Sequence, residues 1–309
     1  MSLQTPSAVN LTLTYALLVG IWATTPLAIV WSVSDIYPLW ALALRFFLAL
    51  PFALLLLKLF KVKLPLNKLA FMSYLAGACS FVGSQFFTYL STDYLSSGMI
   101  ALMFGLAPII TGLIGRFVFG IRLATLQWLG MSVALMGLAV ICFAGSTTHI
   151  HPIGIALALL GVLIYCATLF WIKHLNAQVE PMAQATGSII VSVIFCCVML
   201  PFIWTHVPTG IPSARALGGL FYAVIMASLI AMFCYFKLLQ HIQASTLSLT
   251  TVLTPVIALM VGVVLNDEML SWKAWLGVVI LLFGLVLYFY KDFKASRVLA
   301  SKEMLKKVN

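Results

Sequence analysis

Trp128-Leu129-Gly130 is followed at Gly137 by a second glycine, and 147 residues later Trp275-Leu276-Gly277 and Gly284 repeat the pattern. The same shift carries Pro108 onto Pro255 without a gap. Between Tyr74 and Ala139, 66 aligned positions hold 14 identities, against roughly one in twelve expected by chance for so apolar a composition. The chain is an internal duplication. Its first copy is placed at 1–147, its second at 148–290, and residues 291–309 form a basic tail.

The composition is 63% hydrophobic and 8% charged with a mean hydropathy of +1.15, which leaves too little polar surface to cover a water-soluble core. A bilayer core of about 30 Å takes about 20 apolar residues per helix. Ten such segments are marked, at 11–31, 38–57, 69–90, 96–118, 124–144, 153–172, 182–204, 216–238, 245–265 and 272–290. The expected fold is an all-α integral membrane protein of ten transmembrane helices. Five spans per copy is an odd number, so the copies cross the bilayer in opposite directions. Inverted repeats of this kind build alternating-access carriers.

A net charge of +10 raises the question of nucleic acid, but the basic residues sort by connection and form no groove-like stripe. The even connections hold Lys58, Lys61, Lys63, Lys68, Arg116, Arg122, Lys173 and Lys237, and the tail holds Lys291, Lys294, Arg297, Lys302, Lys306 and Lys307. Only Arg215 and Lys273 lie on the odd side, and Arg45 is inside the second span. The positive-inside rule then puts both termini in the cytoplasm of a multi-pass inner-membrane protein. The segment before the first span has no Lys or Arg, and no small-residue cleavage site follows Trp31, which speaks against a removed leader. Cys79, Cys142, Cys166, Cys196, Cys197 and Cys234 lie inside spans without metal-type spacing and read as reduced, buried small hydrophobes. No metal and no cofactor is expected.

The whole chain resembles the EamA-type branch of the drug/metabolite transporter superfamily, ten-span proteins of two five-span repeats. The resemblance rests on Gly20-Ile21-Trp22-Ala23, Ala43-Leu44-Arg45-Phe46, Leu106-Ala107-Pro108, the Trp128-Leu129-Gly130 to Gly137 spacing, Leu253-Thr254-Pro255 and Gly277 to Gly284. The family often ends the fourth span with Gly-Glu. Here the first copy reads Gly120-Ile121-Arg122, and only the second keeps acid, as Asp267-Glu268. Membership implies export of amino acids and related metabolites, other branches carrying nucleotide sugars or organic phosphates.

Arg45 is the one basic residue well inside a span, so it should face the bundle or a wet cavity. It is either a contact for a substrate carboxylate or a structural residue bonded to helix carbonyls. In the third span Phe81, Gln85, Thr88 and Thr92 fall at helical spacing with Tyr89 beside them, a polar stripe. Gln85 matches Met232 and Tyr89 matches Phe236 in the second copy. Ser245, Ser248 and Thr251 recur three apart in the ninth span, where small hydroxyl residues serve helix packing or ligand contact. Trp22, Tyr165 and Tyr235 occupy the first, sixth and eighth spans, and Trp22 corresponds to Tyr165 when Thr25 is set on Thr168. The substrate-binding set is therefore Trp22, Arg45, Gln85, Tyr89, Tyr165, Tyr235 and Thr251. Pro108 and Pro255 each remove an intrahelical bond and stand either as static kinks or as a pair of hinges.

No acidic residue falls in mid-membrane and no P-loop is present, which leaves a secondary carrier without the usual intramembrane carboxylate relay. No catalytic set of nucleophile and base or paired carboxylates exists at one depth, so an enzyme is the remote reading. The expected partners are a small-molecule substrate and the lipid bilayer, with no nucleic acid and a monomer or homodimer. The expected function is export of amino acids or related small amphiphilic metabolites by alternating access, with nucleotide sugars, organic phosphates or drugs as the alternative cargo.

Overall fold

The computed structural model describes residues 8–143, 151–241, 250–268 and 271–308, with only the backbone course given for 8, 142–143, 251–252 and 291–308. Each expected span is a helix. They are α1 (Ala8–Ser32), α2 (Pro38–Leu59), α3 (Lys68–Ser91), α4 (Ser97–Phe119), α5 (Thr125–Phe143), α6 (Pro152–Leu175), α7 (Pro181–Ile203), α8 (Ala214–His241), α9 (Thr250–Asn266) and α10 (Trp272–Val308). Among the described residues, eight are long and apolar enough to cross a bilayer, and the apolar stretches of α5 and α9 are shorter. The described part of α9 begins at Thr250, the expected start at 245 lying outside the described residues, and α10 departs from expectation by running on through the tail as one helix.

Local chemistry sets the starts. Pro38, Pro152 and Pro181 stand in the first turns of α2, α6 and α7, where a missing N–H costs nothing and φ is already helical. The Ala70 amide donates to Asn67 Oδ1 at 2.8 Å to open α3, and the Ala216 amide to Ser213 Oγ at 3.2 Å to open α8. The Ser213 hydroxyl and amide bond Asp35 in the α1–α2 connection, the amide at 2.8 Å, and hold its carboxyl below the usual range.

Two spans widen near the middle of their length. α3 makes a π-helical turn over Cys79–Gly83 and α8 over Ala223–Ile230. The 147-residue shift places 79–83 on 226–230, so the widening belongs to the repeat. Such turns expose carbonyls that an α-helix would occupy; Ser228 Oγ donates back to Ala223 O, five residues earlier, at 2.9 Å. The prolines are not equivalent in effect. α4 breaks at Leu106 (φ −81°, ψ −5°) just before Pro108, whereas α9 passes through Pro255 unbroken.

The chain divides into two compact units. The first contains α1–α3, the first half of α4 and α6–α9. Its core gathers Leu18, Leu42, Phe46, Ile189, Leu220 and Leu229, and α3 is tied to α7 by Ser73 Oγ donating to Gln184 Oε1 (2.7 Å) and Gln184 Nε2 donating to Ser73 O (2.8 Å). Of the cysteines expected inside, Cys166, Cys196 and Cys234 are buried and Cys79 half-buried, but Cys197 is exposed because its face of α7 has no protein neighbour; all five are free thiols, and the side chain of Cys142 lies outside the described residues.

The second unit holds the end of α4, α5 and α10. A Cβ on Gly130 would lie 2.7 Å from Gly284 O, and one on Gly284 2.7 Å from Gly130 O. A Cβ on Gly137 would lie 2.7 Å from Gly277 O, and one on Gly277 2.8 Å from Gly137 O. As numbers rise along α5 they fall along α10, so the repeated helices run antiparallel, and only glycine permits backbones this close. Gly137→Leu is expected to destabilise the folded protein by roughly 1–3 kcal/mol or more, since backbone atoms cannot move aside as side-chain tips do. Gly218→Ala, with no atom within 4 Å of its Cβ, should hold stability or raise it by roughly 0.5–1 kcal/mol. Thermal melting of both variants in detergent is the check.

Candidate functional site

The two π-turns bring α3 and α8 to the same space. A cavity of about 990 Å³, counted with the open solvent at its mouth, lies within the first unit. α3 lines it with Ser80, Phe81, Gln85 and Thr88, and α8 with Ala227, Ser228, Met232 and Tyr235. These are the same four positions in each copy, 147 residues apart. α1 adds Trp22 and Thr25, α2 adds Arg45, α6 adds Tyr165, and α9 adds Thr254 and Pro255.

Arg45 is 3% exposed. Its Nε donates to Ser228 Oγ at 2.8 Å and its Nη1 to Gln85 Oε1 at 3.3 Å, so the guanidinium spans a residue from each copy. It also stands 5.6 Å from the centre of the Phe46 ring. Nη2 makes no bond among the described residues, and no carboxylate belongs to the cavity wall. The wall therefore has one cationic pole with donors to spare.

Three hydroxyls of the wall point the other way in hydrogen-bond sense. Thr25 Oγ1 donates to Ile21 O at 2.6 Å, Thr88 Oγ1 to Ser84 O at 3.0 Å, and Thr254 Oγ1 to Thr250 O. Each hydroxyl has one proton. With that proton on its own helix, each presents only lone pairs to the cavity.

An aromatic group closes the wall between them. Trp22 sits 6.4 Å from Tyr165, edge to face, and 5.5 Å from Tyr235. Phe104 meets Tyr165 at 6.1 Å.

Of the residues picked from sequence, Trp22, Arg45, Gln85, Tyr165 and Tyr235 line one cavity. Tyr89 does not. One residue round α3 from Thr88, it is fully buried in the packed core and its hydroxyl has no partner among the described residues. Thr92 closes the end of α3 by donating to Tyr89 O at 2.6 Å. The side chain of Thr251, and all of Ser245 and Ser248, lie outside the described residues. Pro255 reaches the cavity, and on α4 the wall runs to Ala107, the residue before Pro108. Sequence reading missed Ser228, Thr25 and Thr254. The repeat could have supplied Ser228 and Thr254, because they match Phe81 and Ala107.

The sequence matches the EamA-like transporter family twice, over residues 10–143 and 152–290. It is 26% identical over 269 residues to the uncharacterized inner membrane transporter YedA of Escherichia coli (strain K12), covering 86% of each chain. It is 28% identical over 201 residues to the uncharacterized transporter YwfM of Bacillus subtilis (strain 168), covering 65% of this chain and 67% of that one. Protein PagO of Salmonella typhimurium is 24% identical over 90% of this chain and 92% of its own. A solved crystal structure, 17% identical, shares the fold with a TM-score of 0.68 over 94% of this chain and 99% of that one. Two family matches that between them take in all ten helices, and an aromatic-walled cavity in the helix bundle, lead to one conclusion: the chain is a multi-span membrane protein that belongs to the EamA-like transporter family.

Proposed function

We propose that the protein is a secondary carrier of the inner membrane that exports amino acids or related small amphiphilic metabolites by alternating access. In this reading the copies are 1–147 and 148–290, the tail is 291–309, and both termini are cytoplasmic, as the fourteen-to-two division of basic residues outside Arg45 indicates. The observation that carries the substrate reading is the pairing of Arg45 with hydroxyls that can only accept. A carboxylate meets the free Nη2 edge of Arg45. An ammonium meets lone pairs of Thr25, Thr88 or Thr254 and the faces of the aromatic group. The apolar remainder rests on Trp22, Phe81 and Met232.

The alternative cargoes fit less well. A nucleotide sugar or an organic phosphate brings two or more negative charges, and the wall offers a single guanidinium. A membrane-embedded enzyme would need a nucleophile beside a base, paired carboxylates or metal ligands, while this wall supplies a guanidinium, an amide, hydroxyls and rings. The deciding experiment is counterflow in proteoliposomes against a panel of amino acids, nucleosides, sugar phosphates and organic cations. Saturable counterflow of an amino acid without an imposed gradient supports the reading; counterflow of phosphates alone, or none, rejects it.

Arg45→Lys is expected to lower counterflow at least about tenfold, because a planar fork with a free edge is replaced by a point charge that cannot hold both Ser228 and Gln85 while facing a carboxylate. If counterflow falls only in proportion to folded protein, measured by melting in detergent, Arg45 is structural. For the hinge reading, Pro108→Ala and Pro255→Ala restore helical hydrogen bonds and should leave binding intact while slowing exchange. Because α4 is broken and α9 is not, Pro108→Ala should have the larger effect. Single cysteines at the two cavity mouths should report opposite biases, and equal accessibility with unchanged exchange would reduce both prolines to static kinks.

A further inference from the structure

Glu268, at the end of α9, is only 8% exposed. Its carboxylate accepts from the Ser97 amide (3.0 Å), the Gly98 amide (3.0 Å), the Ser97 hydroxyl (2.5 Å) and Asn266 Nδ2 (3.0 Å). The two amides are the first of α4, where a helix has unsatisfied N–H groups and the positive end of its dipole. The second copy thus caps a helix of the first. Asn266 extends the contact by accepting from Trp31 Nε1 at 3.0 Å and from Arg215. Two glycines make room for the carboxylate: a Cβ at Gly262 would lie 2.7 Å from Glu268 Oε2, and one at Gly98 3.1 Å from it.

α4 has a cap residue of its own, and it is idle. Ser96 holds the extended backbone of an N-cap (φ −70°, ψ 165°) but makes no cap bond, and its buried hydroxyl has no partner among the described residues. A serine at this position ordinarily accepts from the second or third amide of the helix. The second amide is Gly98, which Glu268 occupies. Glu268 thus holds one of the two amides a cap serine ordinarily uses, and the Ser96 hydroxyl takes neither among the described residues. One turn further along α4, Ile100 and Ala101 begin the cavity wall.

Resting on the alternating-access reading, we propose that Glu268 is a latch closing the odd-connection end of the cavity, and that Ser96 is the replacement cap that takes the Gly98 amide when Glu268 withdraws. The exchange lets α4 and α9 part without leaving a bare helix start in a low-dielectric setting. In the first copy the matching residue is Ile121, which has no acceptor, so the device serves one end of the carrier.

The test uses the full chain in a Cys-free background with Ala101→Cys as reporter, labelled by an impermeant maleimide from the odd-connection side. Glu268→Ala should raise the labelling rate at least about tenfold, equivalent to losing one charge-assisted hydrogen bond. Ser96→Ala should do the opposite: the latched state loses nothing, the open state loses its cap, and labelling falls about threefold with slower exchange. The melting midpoint of Ser96→Ala should stay where it was. Unchanged or faster labelling in Ser96→Ala, or unchanged labelling in folded Glu268→Ala, overturns the proposal; if Glu268→Ala does not fold, the serine variant decides alone. Labelling contrasts without any counterflow in the parent protein would reject the carrier reading and keep the latch.

Discussion

A guanidinium held away from water within a bilayer costs several kcal/mol unless its N–H groups find acceptors, and Arg45 finds them on α3 and α8 at once, at Gln85 and Ser228. Ser228 lies within the π-turn of α8, and Gln85 follows the matching turn of α3 by two residues. The π-turn of α8 lets Ser228 donate to Ala223 O while it accepts from Arg45, so the serine is satisfied in both senses. The cation is fixed at Nε and Nη1, and Arg45 belongs to the cavity wall. The structural bonds of Arg45 therefore use only part of its guanidinium, and a structural role does not exclude the proposed contact with substrate.

Duplication placed the same four positions of α3 and α8 around the cavity, and divergence between them created its polarity. Gln85 faces Arg45, while its counterpart Met232 is a soft apolar wall. Thr88 offers lone pairs, while its counterpart Tyr235 stacks near Trp22. A site with two equal halves would suit a symmetric solute; this one has a donor pole, acceptor hydroxyls and an aromatic wall.

Helix count and most of the cavity wall were legible because they depend on local periodicity and composition: twenty-residue apolar runs, proline at helix starts, and aromatic or polar residues at matching positions along the spans. What escaped depends on contacts between distant segments. Tyr89 and Thr88 are adjacent in sequence, and only packing against the core decides which of them meets the cavity. Glu268 reads as a loop acid, and its burial follows from the approach of Ser97, some 170 residues earlier. Gly130 and Gly137 stand out as repeat markers, but their reason for being glycine appears only beside Gly284 and Gly277. The uneven response to Pro108 and Pro255 was equally hidden, since proline fixes the lost bond but not how neighbours absorb it.

The glycine seam of α5 and α10 has a further property. Each of its contacts occurs twice with the copies exchanged: Gly130 lies against the Tyr288 backbone as Gly277 lies against Ile141, and Gly137 against Leu281 as Gly284 against Ala134. A surface that is its own complement carries no address. It joins first copy to second as readily as it would join either copy to itself, provided the two run in opposite directions. Selection of the right neighbour must therefore come from features that differ between the copies. The charged ends supply one, Arg122 at one connection against Asp267 and Glu268 at the other, and covalent linkage in a single chain supplies the second by making the correct neighbour the nearest one.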